Sequence, residues 1–411
     1  MLLSGLLARM IKRGTLTVVH ADGRRSRFGD GSEPSAVVKL HERGLERSLA
    51  INPALRVPEA YMDGKITLEE GTDLRVFLDL VARNWAELEA QPLYQVVNRL
   101  LRQGRRLKQF NPIGKAQENV AHHYDLSGTL YDYFLDPDRQ YSCAYFRHPD
   151  DSLEQAQYDK KQHLASKLYL TRPGLKTLDI GSGWGGLGLY LAQEAGCDVT
   201  GVTLSVEQHK LSQERSAQMG LQDRCRFKLV DYRNENGPYD RIVSVGMFEH
   251  VGKANYDEFF AKIRELLADD GVCVLHSIGR FDQPGPINPF IRKYIFPGAD
   301  VPSLSEVTTA VEKSGLFTTD IEILRLHYAE TLRHWYKRFQ AHRDQVAELY
   351  DERFCRMWEM YLAGCEMGFR HQGLMVFQLQ LTKNLEALPL TRDYMFEWER
   401  SRSSVTARAA E

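Results

Sequence analysis

Leu178-Asp179-Ile180-Gly181-Ser182-Gly183-Trp184-Gly185-Gly186 runs an apolar stretch straight into a glycine-rich turn, and its reading decides the fold. A short apolar run ending in clustered glycines predicts a strand, a tight turn and the start of a helix. Gly181 and Gly183 permit dihedrals, and a close approach of ligand to backbone, that side chains would block. Around this stretch the pattern alternates. Thr177–Ile180, Asp198–Thr203, Arg226–Val230, Arg241–Val245 and Gly271–Ile278 read as strands, with helical periodicity over Val206–Gln218 and Tyr256–Leu267. Such βα alternation predicts an α/β fold with a mainly parallel sheet and helices on both faces. Ligands then bind outside the carboxyl ends of the strands.

A glycine loop alone does not separate dinucleotide enzymes from other nucleoside binders. With Asp179 inside the strand, GSGWGG resembles motif I of the class I methyltransferases, which bind S-adenosylmethionine on a Rossmann-like sheet. The resemblance implies that Asp179, Gly181, Ser182, Gly183 and Trp184 meet that cofactor. Dinucleotide folds, and most methyltransferases, place a ribose-binding acid about 20 residues after the loop. Here the second strand ends in Gly201-Val202-Thr203-Leu204-Ser205, followed by Gln208. The missing acid weakens the nicotinamide reading and puts Thr203, Leu204 and Gln208 in its place. Asp231-Tyr232, after the third strand, suits the adenine end, where the carboxylate accepts from the amino group and the ring stacks. An Asp that merely caps a loop is the competing reading.

The 411 residues exceed what one compact core usually holds. A formal net charge of −2 argues against a dedicated nucleic-acid binder. Six scattered cysteines, without CxxC or a histidine at ligand spacing, predict reduced thiols in a cytoplasmic protein and no metal site. No apolar run is long enough to span a bilayer. Leu2, Leu3, Leu6, Leu7 and Met10 recur at helical spacing, with Arg9, Lys12 and Arg13 following rather than preceding them, unlike a signal peptide. That stripe either touches a membrane surface or packs on its own domain. The expected division is a small α+β domain over 1–92, including a helix over Asp73–Leu88 with Leu74, Phe77, Leu78 and Val81 on one face. A basic linker follows over 93–115 (Arg99, Arg102, Arg105, Arg106, Lys108), then the nucleoside-binding domain over 116–400 and a frayed tail over 401–411.

Seven further blocks narrow the substrate. They are His123-Tyr124-Asp125-Leu126-Ser127, Phe134-Leu135-Asp136-Pro137, Tyr141-Ser142-Cys143-Ala144-Tyr145-Phe146, Phe248-Glu249-His250-Val251-Gly252, Leu275-His276-Ser277-Ile278-Gly279, Ile295-Phe296-Pro297-Gly298 and His327-Tyr328-Ala329-Glu330-Thr331-Leu332. In this order, over roughly residues 117–382, they resemble the cyclopropane-fatty-acyl-phospholipid synthases, a family that includes the mycolic acid cyclopropane synthases. The resemblance implies bicarbonate as a second bound group, organised by Glu249, with His276 as donor. Ile278 and Cys143 contribute main-chain contacts, and Tyr328 completes the pocket. It also implies that Tyr124, Tyr141 and Ser142 belong with the cofactor residues. The implied partner is an unsaturated phospholipid acyl chain at the inner membrane, met from the cytoplasmic side. Lipid contact and a homodimer are both left open for the first domain. His122, His123 and His250 receive no role.

The chemistry has its own demands. A cis alkene is a weak nucleophile, and its attack on a sulfonium methyl leaves a carbocation that must lose a proton for a ring to close. Water must be excluded and a base held beside an apolar chain. Phe248, Tyr294, Phe296, Trp335 and Phe339 are candidates for lining an acyl path, and the Pro- and Gly-rich stretch Gln283–Ser303 for a lid. Three rivals stand against the ring-forming enzyme. They are a methyl-branching enzyme on unsaturated fatty acids, a nucleic-acid methyltransferase and a lipid binder on a retired fold. The nucleic-acid rival lacks its (N/D)PP(Y/F) tetrapeptide, since Met247-Phe248-Glu249-His250 stands after the fourth strand.

Overall fold

A computed structural model describes residues 2–91 and 128–409. Tyr124, His122, His123 and the basic linker lie outside the described residues. The described residues form two compact units, each treated by itself below. One gathers 2–91, 285–297 and 329–374; the other gathers 128–284, 298–328 and 375–409. The contiguous boundaries expected above therefore differ from the observed grouping, in which two later segments join the N-terminal residues.

The first unit opens with helix α1 (Leu2–Met10), which buries Leu3 and Met10. Strands β1 (Thr15–Val19), β2 (Arg25–Gly29) and β3 (Ser35–Leu40) follow, then α2 (Leu45–Ile51), α3 (Pro53–Met62) and β4 (Ile66–Glu69). They make a four-stranded sheet in the order β2-β1-β3-β4, with β1 antiparallel to β2 and parallel to β3. The helix expected over Asp73–Leu88 is two helices, α4 (Leu74–Arg83) and α5 (Trp85–Glu89). Asp73 caps the first, accepting from the Arg75 amide. Asn84 makes the break. It is buried, accepts from the amides of Lys12 (2.8 Å) and Arg13 (3.0 Å), and donates to the carbonyls of Arg13 and Leu80. The buried face is Leu74, Phe77, Leu80 and Ala82 rather than one carrying Leu78 and Val81.

In the second unit, α6 (Gly128–Phe134) and α7 (Leu153–Lys167) precede β5 (Lys176–Ile180), α8 (Gly186–Glu194), β6 (Asp198–Thr203), α9 (Val206–Gln218) and β7 (Cys225–Leu229). Then come β8 (Tyr239–Val245), α10 (Tyr256–Leu266), β9 (Leu267–Arg280), α11 (Leu304–Ser314) and β10 (Phe317–Leu324). Helix α12 (His327–Ala341) starts in this unit and runs into the first, to which α13 (Arg343–Leu349) and α14 (Glu352–His371) belong; β11 (Leu374–Thr382) and α15 (Asp393–Ala409) return to the second unit. Helix α15 runs past Ser401, where a frayed tail was expected.

Seven strands form the sheet in the order β10-β11-β9-β8-β5-β6-β7. The pairs β5–β6, β5–β8, β6–β7 and β8–β9 are parallel, and β10–β11 is antiparallel. The five strands read from sequence are all present, within a few residues at their ends. Both faces of the central strands are buried. Ile242, Cys273 and Leu275 join one apolar cluster, and their chain neighbours Val243 and Val274 join the other. Helix α10 covers the first face through Tyr256, Phe259, Phe260, Ile263 and Leu266, spaced three or four residues apart. Full burial on both sides is what a doubly covered parallel sheet requires. It leaves the carboxyl ends of the strands as the place for chemistry.

Candidate active site

The glycine loop leaves β5 at Gly181, whose φ of +80° suits glycine. A Cβ there would lie 2.8 Å from the Met247 side chain, so the loop is packed directly against the segment after β8. Gly185, at φ +85°, is the left-handed cap that starts α8. Asp179 is fully buried, and burial pushes its carboxyl up to about 7, with Lys160 opposing. Its Oδ2, and Ser182 Oγ, have no hydrogen-bond partner among the described residues. Two such buried atoms at a strand's carboxyl end call for a polar ligand.

Thr203 donates to Gln208 Oε1 at 2.9 Å, and Ser205 caps α9 by accepting from the Gln208 amide. The position of the missing ribose acid is thus filled by a neutral pair, beside Leu204. At the adenine end the geometry adds to the expectation. Asp231 is bound by the Arg233 guanidinium (2.9 and 2.7 Å) and amide. Its carboxylate is both a cap and an ion-pair partner, because Arg233 lies two residues on in the same turn. Tyr232 packs edge-on to Phe259 at 5.5 Å, and burial raises its hydroxyl pKa.

The segment 138–146 is brought to the same end of the sheet. A Cβ on Gly186 would collide with Gln140 and Asp138. Asp138 pairs with Lys161 and Arg215, and Arg215 also reaches the Trp184 carbonyl at 2.8 Å. Tyr131 packs on Trp184 (4.9 Å) and on Tyr141 (5.5 Å). Ser142 lies 3.8 Å from where a Gly246 Cβ would be, and the Gly246 amide donates to the His276 carbonyl at 2.9 Å. Sequence reading missed two residues here. Lys160, almost fully buried on α7, donates to Gln140 Oε1 (2.5 Å) and Ser142 Oγ (2.9 Å). Gln157, also on α7, donates to the carbonyls of Gln140 (3.1 Å) and Ser142 (3.0 Å). Both sit among ordinary helix residues in the sequence, so nothing singled them out.

Glu249 lies in a short 3₁₀ turn after β8, between buried Phe248 and His250. Its Oε1 accepts from the Ile278 amide at 2.6 Å, while Oε2 is buried without a partner among the described residues. Burial pushes this carboxyl up to about 7, against the Ile278 bond. Ile278 therefore spends its N–H on Glu249; its expected main-chain contact to a bound anion is not made by that group. His276, two residues earlier on β9, is buried and held far below the usual imidazole range by desolvation, so the ring is neutral. Gln378 Nε2 donates to its Nδ1 at 3.1 Å, which puts the ring proton on Nε2. Cys143 is buried, with Sγ 3.3 Å from the Ala144 carbonyl.

Tyr328 is buried near the start of α12. Its neighbour His327 stacks on Tyr145 at 4.8 Å and accepts from the Phe146 amide at 3.0 Å. The 141–146 and 327–328 blocks, 181 residues apart, thereby meet. Phe248 belongs to the core with Tyr256, Phe259 and Phe260. Among the described residues no cluster of metal-ligating side chains occurs and no helix is long and apolar enough to cross a membrane.

Comparison with known proteins agrees with this geometry. A family model described as mycolic acid cyclopropane synthetase matches residues 113–379, and a domain of unknown function matches residues 2–84. The chain is 36% identical over 385 residues to a probable fatty acid methyltransferase of Pseudomonas putida, covering 90% of this chain and 94% of that one. It is 37% identical over 357 residues to the cyclopropane-fatty-acyl-phospholipid synthase of Escherichia coli K12, covering 87% and 90%. The solved structure of the mycolic acid cyclopropane synthase CmaA1, complexed with SAH and CTAB, superposes with a TM-score of 0.62 at 35% identity. It covers 66% of this chain and 99% of that one. With its family match spanning most of the chain and its Rossmann-like sheet of the class I methyltransferase type, the chain belongs to the mycolic acid cyclopropane synthetase family.

Proposed function

We propose that the chain uses S-adenosylmethionine to convert the cis double bond of unsaturated phospholipid acyl chains into a cyclopropane ring. The observation that carries this reading is Glu249, a buried carboxylate with one oxygen tied to the amide of Ile278, two residues along β9 from the neutral, buried His276, and the other without a hydrogen-bond partner among the described residues. A carboxylate acceptor and an imidazole Nε2–H donor fit the O–H and the oxygens of bicarbonate. The orphaned Asp179 Oδ2 and Ser182 Oγ fit the ammonium and carboxylate of S-adenosylmethionine. When bound, S-adenosylmethionine would supply the electrophilic methyl and bicarbonate the base that takes a proton from that methyl.

The protein's own residues prepare this chemistry. Gly181 lets the loop pack against Met247, and Gly183, with nothing within 4 Å of where its Cβ would be, leaves the cofactor free approach to the loop backbone. Glu249 and His276 hold an anion on the side from which the proton is removed, with Cys143 and Tyr328 as the remaining walls. Burial keeps His276 neutral, so that it donates without adding charge. Exclusion of water protects the carbocation in the acyl chain from capture. The membrane need not be crossed for this, since the acyl chain must come to a peripheral protein on the cytoplasmic face.

The test is incubation of the purified chain with unsaturated phospholipid vesicles, S-adenosylmethionine and bicarbonate, followed by mass analysis of the chains. A gain of one CH2 unit with loss of the alkene supports the ring. No gain sinks the proposal. Likeness to the Pseudomonas putida fatty acid methyltransferase supports a second reading, methyl branching, in which one CH2 unit is gained and unsaturation is retained.

A further inference from the structure

The resemblance assigns residues on both sides of α7 but none on it, although α7 carries a buried ammonium at the edge of the site. Lys160 is 1% exposed, yet its two hydrogen-bond partners are neutral oxygens, Gln140 Oε1 and Ser142 Oγ, rather than carboxylates. We propose that Lys160, with Gln157 one helical turn before it, is a positioning residue that clamps the 138–146 segment over the cofactor site. This rests on the reading that Tyr141 and Ser142 lie over S-adenosylmethionine.

The contacts are reciprocal in a way that simple packing does not require. Lys160 takes the side chains of residues 140 and 142, and Gln157 takes the carbonyls of the same two residues. Positions i and i+3 of a helix share one face, so two side chains act on one stretch of backbone. Both residues flanking Tyr141 are held, and the Tyr141 ring is left against Tyr131 (5.5 Å) and Phe134 (6.0 Å). Tyr131 carries the contact on to Trp184 of the glycine loop. Asp136 shapes the same turn, accepting from the amides of Asp138 (3.1 Å) and Gln140 (2.9 Å). The Lys160 charge also reaches Asp179, at the base of that loop, and His276. An apolar residue would fill this position without the cost of desolvating an ammonium. The charges of Asp136 and Asp138, in or beside the same segment, favour the ammonium, and its hydrogen bonds go to Gln140 and Ser142, so the buried cation is explained by the segment it holds.

The full chain, with Lys160→Met, Gln157→Leu, Ser142→Ala and the Lys160→Met/Ser142→Ala pair, provides the test. S-adenosylhomocysteine binding by calorimetry and steady-state kinetics in S-adenosylmethionine are measured on each. Loss of a charge-assisted bond predicts that Lys160→Met weakens S-adenosylhomocysteine binding and raises KM by about tenfold. The fall in kcat at saturation is smaller than the rise in KM, because the lost interaction serves binding. The pair is no worse than Lys160→Met alone, since both act through one contact. Wild-type affinity in a folded Lys160→Met protein, or additive losses in the pair, overturns the clamp. If Lys160→Met does not fold, Gln157→Leu decides: weakened binding supports the clamp and unchanged binding overturns it. Failure of the wild type to bind S-adenosylhomocysteine would instead refute the cofactor reading beneath it.

Discussion

Glu249 and Asp179 are two carboxyls that burial pushes up to about 7. A carboxyl whose pKa is higher folded than unfolded binds more protons in the native state, so its contribution to stability falls as pH rises from the ordinary carboxylate range through about 7. Glu249→Gln should therefore raise the melting temperature above wild type at pH values beyond that window, with the gain shrinking in acid. The same change should cut product formation by about a hundredfold or more while S-adenosylhomocysteine still binds. In the wild type, kcat/KM should climb with pH through about 7 as Glu249 ionises. Thermal melts and pH–rate profiles check both. Glu249 and Asp179 were legible because motif order pointed to them. Their orphaned oxygens were not, since partnership depends on folded neighbours. Asp231 is similar: its pattern suited adenine, and its ion pair with Arg233 two residues on appears only in the fold.

Elements were legible where periodicity spoke and not where a tertiary bond overrode it. Strands β5, β6 and β8 declared themselves through apolar runs before turns. Asn84, an ordinary residue in a helical pattern, splits α4 from α5 because its side chain serves Lys12 and Arg13. Strands β10 and β11 went unread, since Gln378 and Gln380 lie inside a run whose burial only the sheet reveals. The glycine loop carries the element-scale prediction. Gly181→Ala pairs a left-handed φ with a 2.8 Å approach to Met247, so the loop must shift and S-adenosylhomocysteine affinity should drop by about tenfold or more. Calorimetry with the purified variant reads this directly. In the first unit, Glu366 of α14 is wholly buried and bonded to Arg75 (2.8 Å at both nitrogens) and Arg370 (2.9 Å). Glu366→Ala takes the bidentate partner from Arg75, while Arg370 keeps Glu330 at 2.7 Å, and should cost about 2–3 kcal/mol, read as a lower denaturation midpoint.

For the molecule as a whole, product identity is the measurement that matters, because the chain is similar both to a cyclopropane-fatty-acyl-phospholipid synthase and to a probable fatty acid methyltransferase. Cyclopropane formation predicts acyl chains one CH2 heavier that no longer react as alkenes, and its rate should fall when bicarbonate is stripped from the buffer and recover when it is restored. Length and pattern led to an expectation of two contiguous domains, and the described residues group into two interleaved units. The interleaving was not visible, because residues 329–374 read simply as more helices after the sheet. That interleaving has a bearing on how the protein is made. Arg75 finds its partner Glu366 291 positions later, and Tyr61 finds Glu359 298 positions later. On a ribosome working at about 5–20 residues per second, the N-terminal unit waits roughly 15–60 s for the helix that completes it. Through that interval its unfinished face is a client for chaperones, and a stop codon anywhere before α14 would leave the beginning of the protein, as well as its end, without a finished core.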